Sequence, residues 1–101
     1  MSLYHPKPDD FSLTKILSAL GDPIRLLVVK SLAETGAKAC GTFPVDVPKS
    51  TMSRHFRVLR EAGLISMKPK ATSYSNSLRR EDIDSRFPGL LELVLKNTND
   101  K

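Results

Sequence analysis

One stretch of the chain, residues 49–64, carries arginine and small hydroxyl side chains of the kinds that contact nucleic acids; its sequence is KSTMSRHFRVLREAGL. A helix turns about 100° per residue, so a helix here would have an apolar face opposite a basic one. The apolar face would contain Met52, Phe56 and Leu59. The basic face would contain Ser50, Arg54 and Arg57. The pattern predicts a helix that packs through one face and meets a polyanion through the other, or an ordinary amphipathic surface helix.

The ends of this helix carry boundary signals. Ser50 and Thr51 lie near its start, where hydroxyl side chains can accept hydrogen bonds from free backbone N–H groups. Gly63 follows the last turn, and glycine readily adopts the left-handed conformation that ends many helices. The sequence therefore predicts capped ends on both sides of the stretch.

Positive charge is concentrated around this helix. Residues 49–80 contain one acid, Glu61, and eight basic residues, which are Lys49, Arg54, Arg57, Arg60, Lys68, Lys70, Arg79 and Arg80. This segment carries a net charge of +7, and since the whole chain carries +5, the remainder sums to −2. A basic segment on a slightly acidic body favours nucleic-acid binding, because each phosphate contact releases condensed counterions. A solvated face and a patch for an acidic protein are the alternatives.

Two helices are predicted before this stretch. The first covers about residues 10–20, and its apolar stripe consists of Leu13, Ile16, Leu17 and Leu20. Asp22 and Pro23 then start a second helix, since aspartate caps helices well and proline suits the first helical position. Arg25, near the start of that helix, could contact a phosphate or be solvated. Residues 37–48 are rich in glycine and proline, which favours a short strand near residues 39–43 over a long helix.

A β-hairpin and two short helices are predicted after the stretch. Residues 64–68 and 73–78 can pair as strands around a polar turn, with lysines at its tip. Residues 81–86 indicate a short acidic helical turn, and a last helix covers about residues 89–96. Leucine and valine cover most of the circumference of this last helix, so a second subunit is expected to bury part of it.

Length and composition indicate a single globular domain of 101 residues, with 40% hydrophobic and 27% charged residues. We expect a flexible N-terminal tail at residues 1–9, a domain at 10–97, and a disordered C-terminus at 98–101. The chain has no apolar run long enough to span a bilayer, and its single cysteine, Cys40, fits a reducing compartment. These features predict a cytoplasmic protein.

The sequence offers little for catalysis. Ser53 and His55 are two residues apart on the helix, so their side chains do not face each other, and no phosphate-cradling glycine loop is present. We therefore predict that the chain is not an enzyme. His55 is predicted to be structural or partly buried rather than a base contact, and Cys40 a small buried hydrophobe rather than a redox thiol.

The order helix, helix, connection, helix, basic hairpin, helix is that of a winged helix-turn-helix. Two motifs, LGDPIRL at residues 20–26 and KSTMSRHFRVLREAGLI at residues 49–65, resemble the ArsR-type bacterial repressors. The resemblance covers about residues 11–95. It implies a mainly α fold of about five helices with a two-stranded wing. It also implies a homodimer on operator DNA, with the first and last helices at the interface and an effector that releases the complex.

The residues of the chain support the DNA-binding half of this resemblance. A helix in the major groove reads base edges through short polar side chains and arginine near its N-terminus, here Ser50, Thr51, Ser53 and Arg54. Lys49 and Arg57 are better placed for phosphates, and Lys68 and Lys70 for an adjacent backbone or minor groove. The predicted dimer interface consists of Leu13, Ile16, Leu17, Leu90, Leu91, Val94 and Leu95.

The resemblance does not extend to the effector sites known in the family. Metal sensors of this family place paired cysteines before the recognition helix, or carboxylate and histidine ligands on the last helix. The chain has only three Cys or His residues, which are His5, Cys40 and His55. These are too few for a closed four-ligand zinc site within one subunit, so we predict neither metal nor cofactor.

Together these features predict a sequence-specific, metal-independent regulator. It would be a dimeric repressor that binds an inverted-repeat operator in double-stranded DNA. The alternative is a winged-helix module that docks an acidic protein partner. The sequence identifies neither the operator nor an effector.

Overall fold

The computed structural model describes residues 3–39 and 42–98 of the chain. Within these residues lie a 3-10 helix at Pro8–Asp10, five α-helices and three β-strands. The helices are α1 (Leu13–Leu20), α2 (Pro23–Thr35), α3 (Lys49–Ala62), α4 (Arg80–Arg86) and α5 (Leu90–Lys96). The strands are β1 (Lys38–Ala39), β2 (Ile65–Lys70) and β3 (Ser73–Leu78). This is the element order of a winged helix-turn-helix, as the sequence predicted.

The predicted two-stranded wing is part of a three-stranded sheet. Strands β2 and β3 form the hairpin of the wing, with Ile65 opposite Leu78. Strand β1 pairs antiparallel with the other edge of β3, which gives the order β1-β3-β2. The side-chain amide of Asn76 on β3 donates to the Lys38 carbonyl oxygen on β1 at 3.2 Å. A short strand was predicted near residues 39–43, whereas the strand in the described residues is Lys38–Ala39. Its pairing with the wing was not predicted, because it depends on a distant partner.

Asp22 begins α2 as predicted. Its Oδ1 accepts hydrogen bonds from the N–H groups of Ile24 at 2.8 Å and Arg25 at 3.1 Å. Loss of solvent around the carboxyl group acts to raise the pKa of Asp22. The two N–H donors and the nearby side chains of His55 and Arg25 together lower the pKa by more, so that it lies below its ordinary value. The ionised carboxylate is therefore the form that stabilises the start of α2.

Helix α1 differs from prediction in its first residue, and α3 begins at Lys49 as predicted but without the predicted hydroxyl cap. Helix α1 starts at Leu13 instead of near residue 10, because Ser12 caps it by accepting from the Lys15 N–H at 3.4 Å. Helix α3 follows Pro48, whose extended backbone enters the helix without a side-chain hydrogen bond. The hydroxyl residues predicted to cap α3 lie inside its first turn, where their side chains remain available for other contacts.

Helix α3 ends at Gly63, as predicted. Gly63 has a φ of 92°, the left-handed conformation that glycine adopts without strain. A Cβ atom at this position would collide with the ring of Phe11, so close packing also requires glycine. Phe11, just before α1, is buried against the end of α3 by this contact.

The core holds α3 in place from several sides. It contains fully buried side chains from every α-helix, including Ile16, Val28, Leu59, Ile83 and Leu91. Leu64 and Ile65, which lead from α3 into the wing, are also fully buried. Helix α3 and the wing are thus anchored in one core.

Residues 3–10, which we call the strap, lie against this domain. The sequence predicted a flexible tail over residues 1–9. Its described part does not extend into solvent, since Pro6 is buried and its carbonyl oxygen accepts a hydrogen bond from Arg79 at 2.8 Å. This packing depends on residues far along the chain, which local sequence patterns do not reveal. The other predicted tail, residues 98–101, lies outside the described residues except for Thr98.

Candidate nucleic-acid interface

The two faces of α3 have the orientations predicted from the sequence. Phe56 and Leu59 are buried and Met52 is half-buried, which fixes the apolar face on the core. The exposed residues on the other side include Lys49, Ser50, Ser53, Arg54 and Arg57. Thr51, also predicted to bind DNA, is half-buried. The helix therefore presents donors of two kinds, hydroxyl and cationic, to solvent.

An open groove of 1010 Å³ lies between α3 and the wing. Helix α3 contributes five of the predicted DNA-binding residues to it, namely Lys49, Ser50, Ser53, Arg54 and Arg57. Strand β3 contributes Ser73 and Tyr74, which were not predicted as DNA contacts. In that strand serine alternates with other residues, and this pattern was the sequence feature that could have indicated them. Phe43 and Phe56 also line the groove, with ring centroids 5.6 Å apart.

The remaining predicted DNA contacts lie on the wing. Lys68 and Lys70 are both exposed on β2, opposite Ser75 and Ser73 of β3. Because side chains two residues apart on a strand lie on the same face, the two lysines form one cationic edge. The hairpin turns at Ala71, which has a φ of 56°. Lys70 is therefore placed next to the tip, as predicted, and Lys68 one step behind it.

Arg25, for which the sequence left a phosphate contact or a solvated position open, is half-buried and donates within the domain. Its Nε donates to the Ala19 carbonyl oxygen at 2.7 Å and its Nη2 to the Ser18 carbonyl oxygen at 3.2 Å. Its Nη1 lies 3.1 Å from Nδ1 of His55. Since arginine only donates, Nδ1 of His55 is the acceptor in this bond. Arg25 thus joins the end of α1 to α3 and helps to position α3.

His55 is buried, as predicted, with 5% of its surface exposed. The bond from Arg25 gives this polar side chain a partner inside the domain. Thirty residues separate the two in sequence, so neither residue type nor local spacing signalled the pairing. His55 therefore belongs to the support of α3 and not to its exposed face.

The eight basic residues of the charged segment fall into two groups. Arg60 donates to the Tyr4 carbonyl oxygen at 3.0 Å, and Arg79 pairs with Asp82 at 3.0 Å. The six exposed basic residues are Lys49, Arg54, Arg57, Lys68, Lys70 and Arg80. The surface that can meet a polyanion is therefore smaller than the sequence count indicated, and it centres on α3 and the wing.

The residues predicted for the dimer interface also fall into two groups, one in the core and one at the surface. Ile16 and Leu91 have 0% exposure, so they belong to the core of the subunit and cannot contact a partner. Leu13 and Leu17 on α1 are 44% and 47% exposed. Leu90, Val94 and Leu95 on α5 are half-buried. Leu93, which was not selected, is 61% exposed and adds to the apolar surface of α5.

No group of three or more His, Cys, Asp or Glu side chains that could hold a metal occurs in residues 3–39 and 42–98. Cys40, predicted to be a buried hydrophobe, lies outside these described residues. Within the same part of the chain, no helix has the length and apolar character needed to cross a bilayer.

Comparison with known proteins identifies relatives of the whole domain. Residues 22–67 match the family described as bacterial regulatory protein, arsR family. The chain is 34% identical over 89 residues to the uncharacterized HTH-type transcriptional regulator YceK of Bacillus subtilis, covering 85% of this chain and 89% of YceK.

Solved structures share the fold. A crystal structure of an ArsR family transcriptional regulator is similar with a TM-score of 0.68 at 21% identity, covering 100% of both chains. The transcriptional repressor BigR from Xylella fastidiosa is similar with a TM-score of 0.60 at 23% identity, covering 74% of this chain and 85% of that one. These likenesses confirm the predicted winged-helix fold. The matched relatives are transcriptional regulators and not enzymes, in agreement with the prediction from the sequence. The chain belongs to the ArsR family of bacterial transcriptional regulators.

Proposed function

We propose that this protein is a dimeric repressor that binds double-stranded operator DNA, with α3 in the major groove. The observation that carries the proposal is the row of exposed hydroxyl and cationic side chains on α3, held outward by the burial of Phe56 and Leu59. The major groove admits an α-helix, and its base edges are read by side-chain donors and acceptors near the helix N-terminus. Membership in a family of DNA-binding regulators supports the same role.

The residues of the interface have different roles in this proposal. Base edges are read by the residues of the first turns of α3, which are Ser50, Thr51, Ser53 and Arg54. Arg54 has the planar donor pair that can bind a guanine in bidentate fashion. Lys49 and Arg57 contact phosphates, which set the register of the helix without reading sequence. Lys68 and Lys70 bring the wing to the neighbouring backbone or minor groove.

Two subunits associate through α1 and α5. The exposed leucines of α1, Leu13 and Leu17, and Leu93 of α5 are large apolar side chains in contact with solvent. A small domain gains stability when a second copy covers such surface. A two-fold pair of recognition helices requires an inverted-repeat operator with half-sites about 34 to 36 Å apart. Light scattering should report a dimer at micromolar concentration; a monomer would contradict this part of the proposal.

Repression is metal-independent in this proposal. Both ring nitrogens of His5 are engaged, with Nδ1 2.9 Å from the Leu3 carbonyl oxygen and Nε2 accepting from the Met67 N–H at 3.0 Å. Nδ1 of His55 is engaged by Arg25. A metal would have to compete with these bonds for an imidazole lone pair. Operator affinity should therefore be equal in the presence and absence of a chelator, and a drop on chelation would contradict metal independence. The repressor role is supported by the likeness of the fold to BigR.

Selection of bound duplexes from a random DNA pool tests the function directly. The selected operator should contain an inverted repeat, and the logarithm of its affinity should fall with the logarithm of salt concentration by about 0.9 per phosphate contact. Affinity that does not change with salt, or the failure to retain any duplex at low salt, would contradict DNA binding. Repeating the selection with candidate small molecules present would identify an effector.

A further inference from the structure

The strap is tied to the domain by a repeated contact. In three successive pairs, an arginine side chain donates a hydrogen bond to a main-chain carbonyl oxygen of the strap. The pairs are Arg60 with Tyr4 at 3.0 Å, Arg79 with Pro6 at 2.8 Å, and Arg86 with Pro8. Arginines from α3, from the end of the wing and from α4 therefore hold the strap at three points.

His5 makes a fourth contact, to the wing itself. The N–H of Met67 on β2 lies 3.0 Å from Nε2 of His5, and Nδ1 of His5 lies 2.9 Å from the Leu3 carbonyl oxygen. A backbone N–H can only donate and a carbonyl can only accept, so Nε2 carries a lone pair and Nδ1 carries the proton. This arrangement requires the neutral imidazole. A second proton on Nε2 would place two N–H groups against each other and break the bond to β2.

The strap contacts both sides of the groove between α3 and the wing. It reaches α3 through Arg60 and β2 through Met67, and both residues line the groove. Leu3 of the strap lines the same groove. The strap is thus a brace between the helix and the strand that carries Lys68 and Lys70.

We infer that neutral His5 is a positioning residue for DNA binding, which fastens the strap to β2 and so holds the wing at a fixed distance from α3. The inference rests on the proposed function, since it concerns how the wing and α3 reach one duplex together. When the bond is broken, the wing gains freedom relative to α3. Lys68 and Lys70 then have to be ordered during binding, which costs entropy that a braced wing does not lose.

The surroundings of His5 favour its neutral form. Burial lowers the pKa of His5, its bond to the Leu3 carbonyl raises it, and nearby cations lower it, so that it lies below the ordinary value of 6.5. The cations are Arg79 after β3, Arg60 on α3 and Lys68 on β2. Arg79 itself pairs with Asp82 of α4. Because the docked strap binds a proton less readily than a free one, docking is strongest above pH 6.5 and weakens as the pH falls below it.

The first test compares operator affinity for wild type, His5→Gln and His5→Ala at about pH 7.5 and about pH 5.5, on either side of the ordinary histidine pKa. Glutamine offers a carbonyl oxygen near the position of Nε2 and does not titrate, so His5→Gln should keep its affinity at both values. His5→Ala should bind about fivefold more weakly at the higher pH, since it lacks one hydrogen bond. As the pH falls, the operator affinity of wild type should decrease from that of His5→Gln towards that of His5→Ala.

A matched control is Lys7→Ala, at an exposed position in the same strap. It removes a charge but leaves His5 in place, so it should keep the pH dependence of wild type. The inference is overturned if wild type and His5→Gln share one pH dependence, or if His5→Ala binds as tightly as wild type near neutral pH.

Hydrogen exchange of the Met67 amide, followed by NMR on the full chain without DNA, tests the brace separately. The amide should be protected in wild type and His5→Gln and should exchange faster in His5→Ala. Equal exchange in wild type and His5→Ala would overturn the inference whether or not DNA binds. If wild type retains no duplex, the proposed function fails and the positioning role fails with it, while the exchange data still show whether His5 fastens the strap.

Discussion

Two groups of arginines on this domain share one chemistry and have opposite surroundings. Arg54 and Arg57 on α3 are exposed. Arg25, Arg60 and Arg79 instead donate to main-chain carbonyl groups of α1 or the strap. A guanidinium carries five donors in a fixed plane, so it can join several elements where carbonyl groups surround it or bind a phosphate where they do not. The comparison shows that the nearby acceptors, and not the residue type, separate a structural arginine from one that can contact DNA.

The largest effect on stability is expected for the arginines that donate to carbonyl groups within the domain. Arg25→Ala removes the donors to Ala19, Ser18 and His55 and should lower the free energy of unfolding by about 2 to 3 kcal/mol, because the acceptors lose charge-assisted partners. Urea unfolding followed by circular dichroism measures this. Arg25→Lys is the matched control and should recover less than half of the loss, since a single ammonium cannot span three acceptors. An unchanged midpoint for Arg25→Ala would show that this arginine is not structural.

Substitution of the exposed arginines on α3 should affect DNA recognition and not folding. Arg54→Ala should reduce discrimination between operator and random DNA by about 1 to 3 kcal/mol, and should change the free energy of unfolding by less than about 0.5 kcal/mol. Competition binding with both DNAs measures the first quantity. Lys70→Ala is the control, because a phosphate contact on the wing should weaken binding to both DNAs alike. If the two variants behaved identically, the division into reading and positioning residues would be wrong.

A matched pair tests the comparison most directly. Arg79→Ala removes bonds to Pro6 and Asp82 and should lower the free energy of unfolding by about 1 to 2 kcal/mol. Arg57→Ala should leave unfolding unchanged and reduce the slope of the salt dependence by about 0.9. Urea unfolding and salt titration are measured on both proteins. Equal destabilisation by the two substitutions would remove the distinction between the groups.

The smallest effect concerns the carboxylate that caps α2 beside Arg25. Asp22→Ala should lower the free energy of unfolding by about 1 kcal/mol, and Asp22→Asn by less, since asparagine also caps helices. The pKa of Asp22 is lowered in the folded state, so its ionised form contributes stability above its ordinary value of 3.8. This contribution is lost as the pH falls through the lowered folded-state pKa. The advantage of wild type over Asp22→Asn should therefore shrink in acid; an advantage that grows there would contradict the cap.

Features set by neighbouring residues could be predicted from the sequence. Asp22 and Pro23 mark the start of α2, and Gly63 marks the end of α3, because caps and left-handed glycines act within one turn. The two faces of α3 follow from the helical period alone. These local signals were sufficient for the fold and for the surface of the candidate site.

Features set by distant residues could not be predicted in this way. Arg25 and His55 are 30 residues apart, and Arg60 lies 56 residues from its partner in the strap. The helical stripes also could not distinguish core from interface, because both are apolar. Ile16 and Leu91 share stripes with exposed or half-buried leucines, yet only the packed structure shows that these two are inside.

The bond between His5 and Met67 has a consequence for solubility. Strand β2 lies at the edge of the sheet, and free edge strands invite pairing with another chain. Residues 67 and 69 direct their backbone nitrogens to the same side of the strand, away from β3. His5 accepts from the first of these nitrogens, and the second belongs to Pro69, which has no hydrogen to donate. Neither of these two nitrogens can donate to a foreign strand, so the strap and Pro69 make this edge a poor template for pairing with another chain.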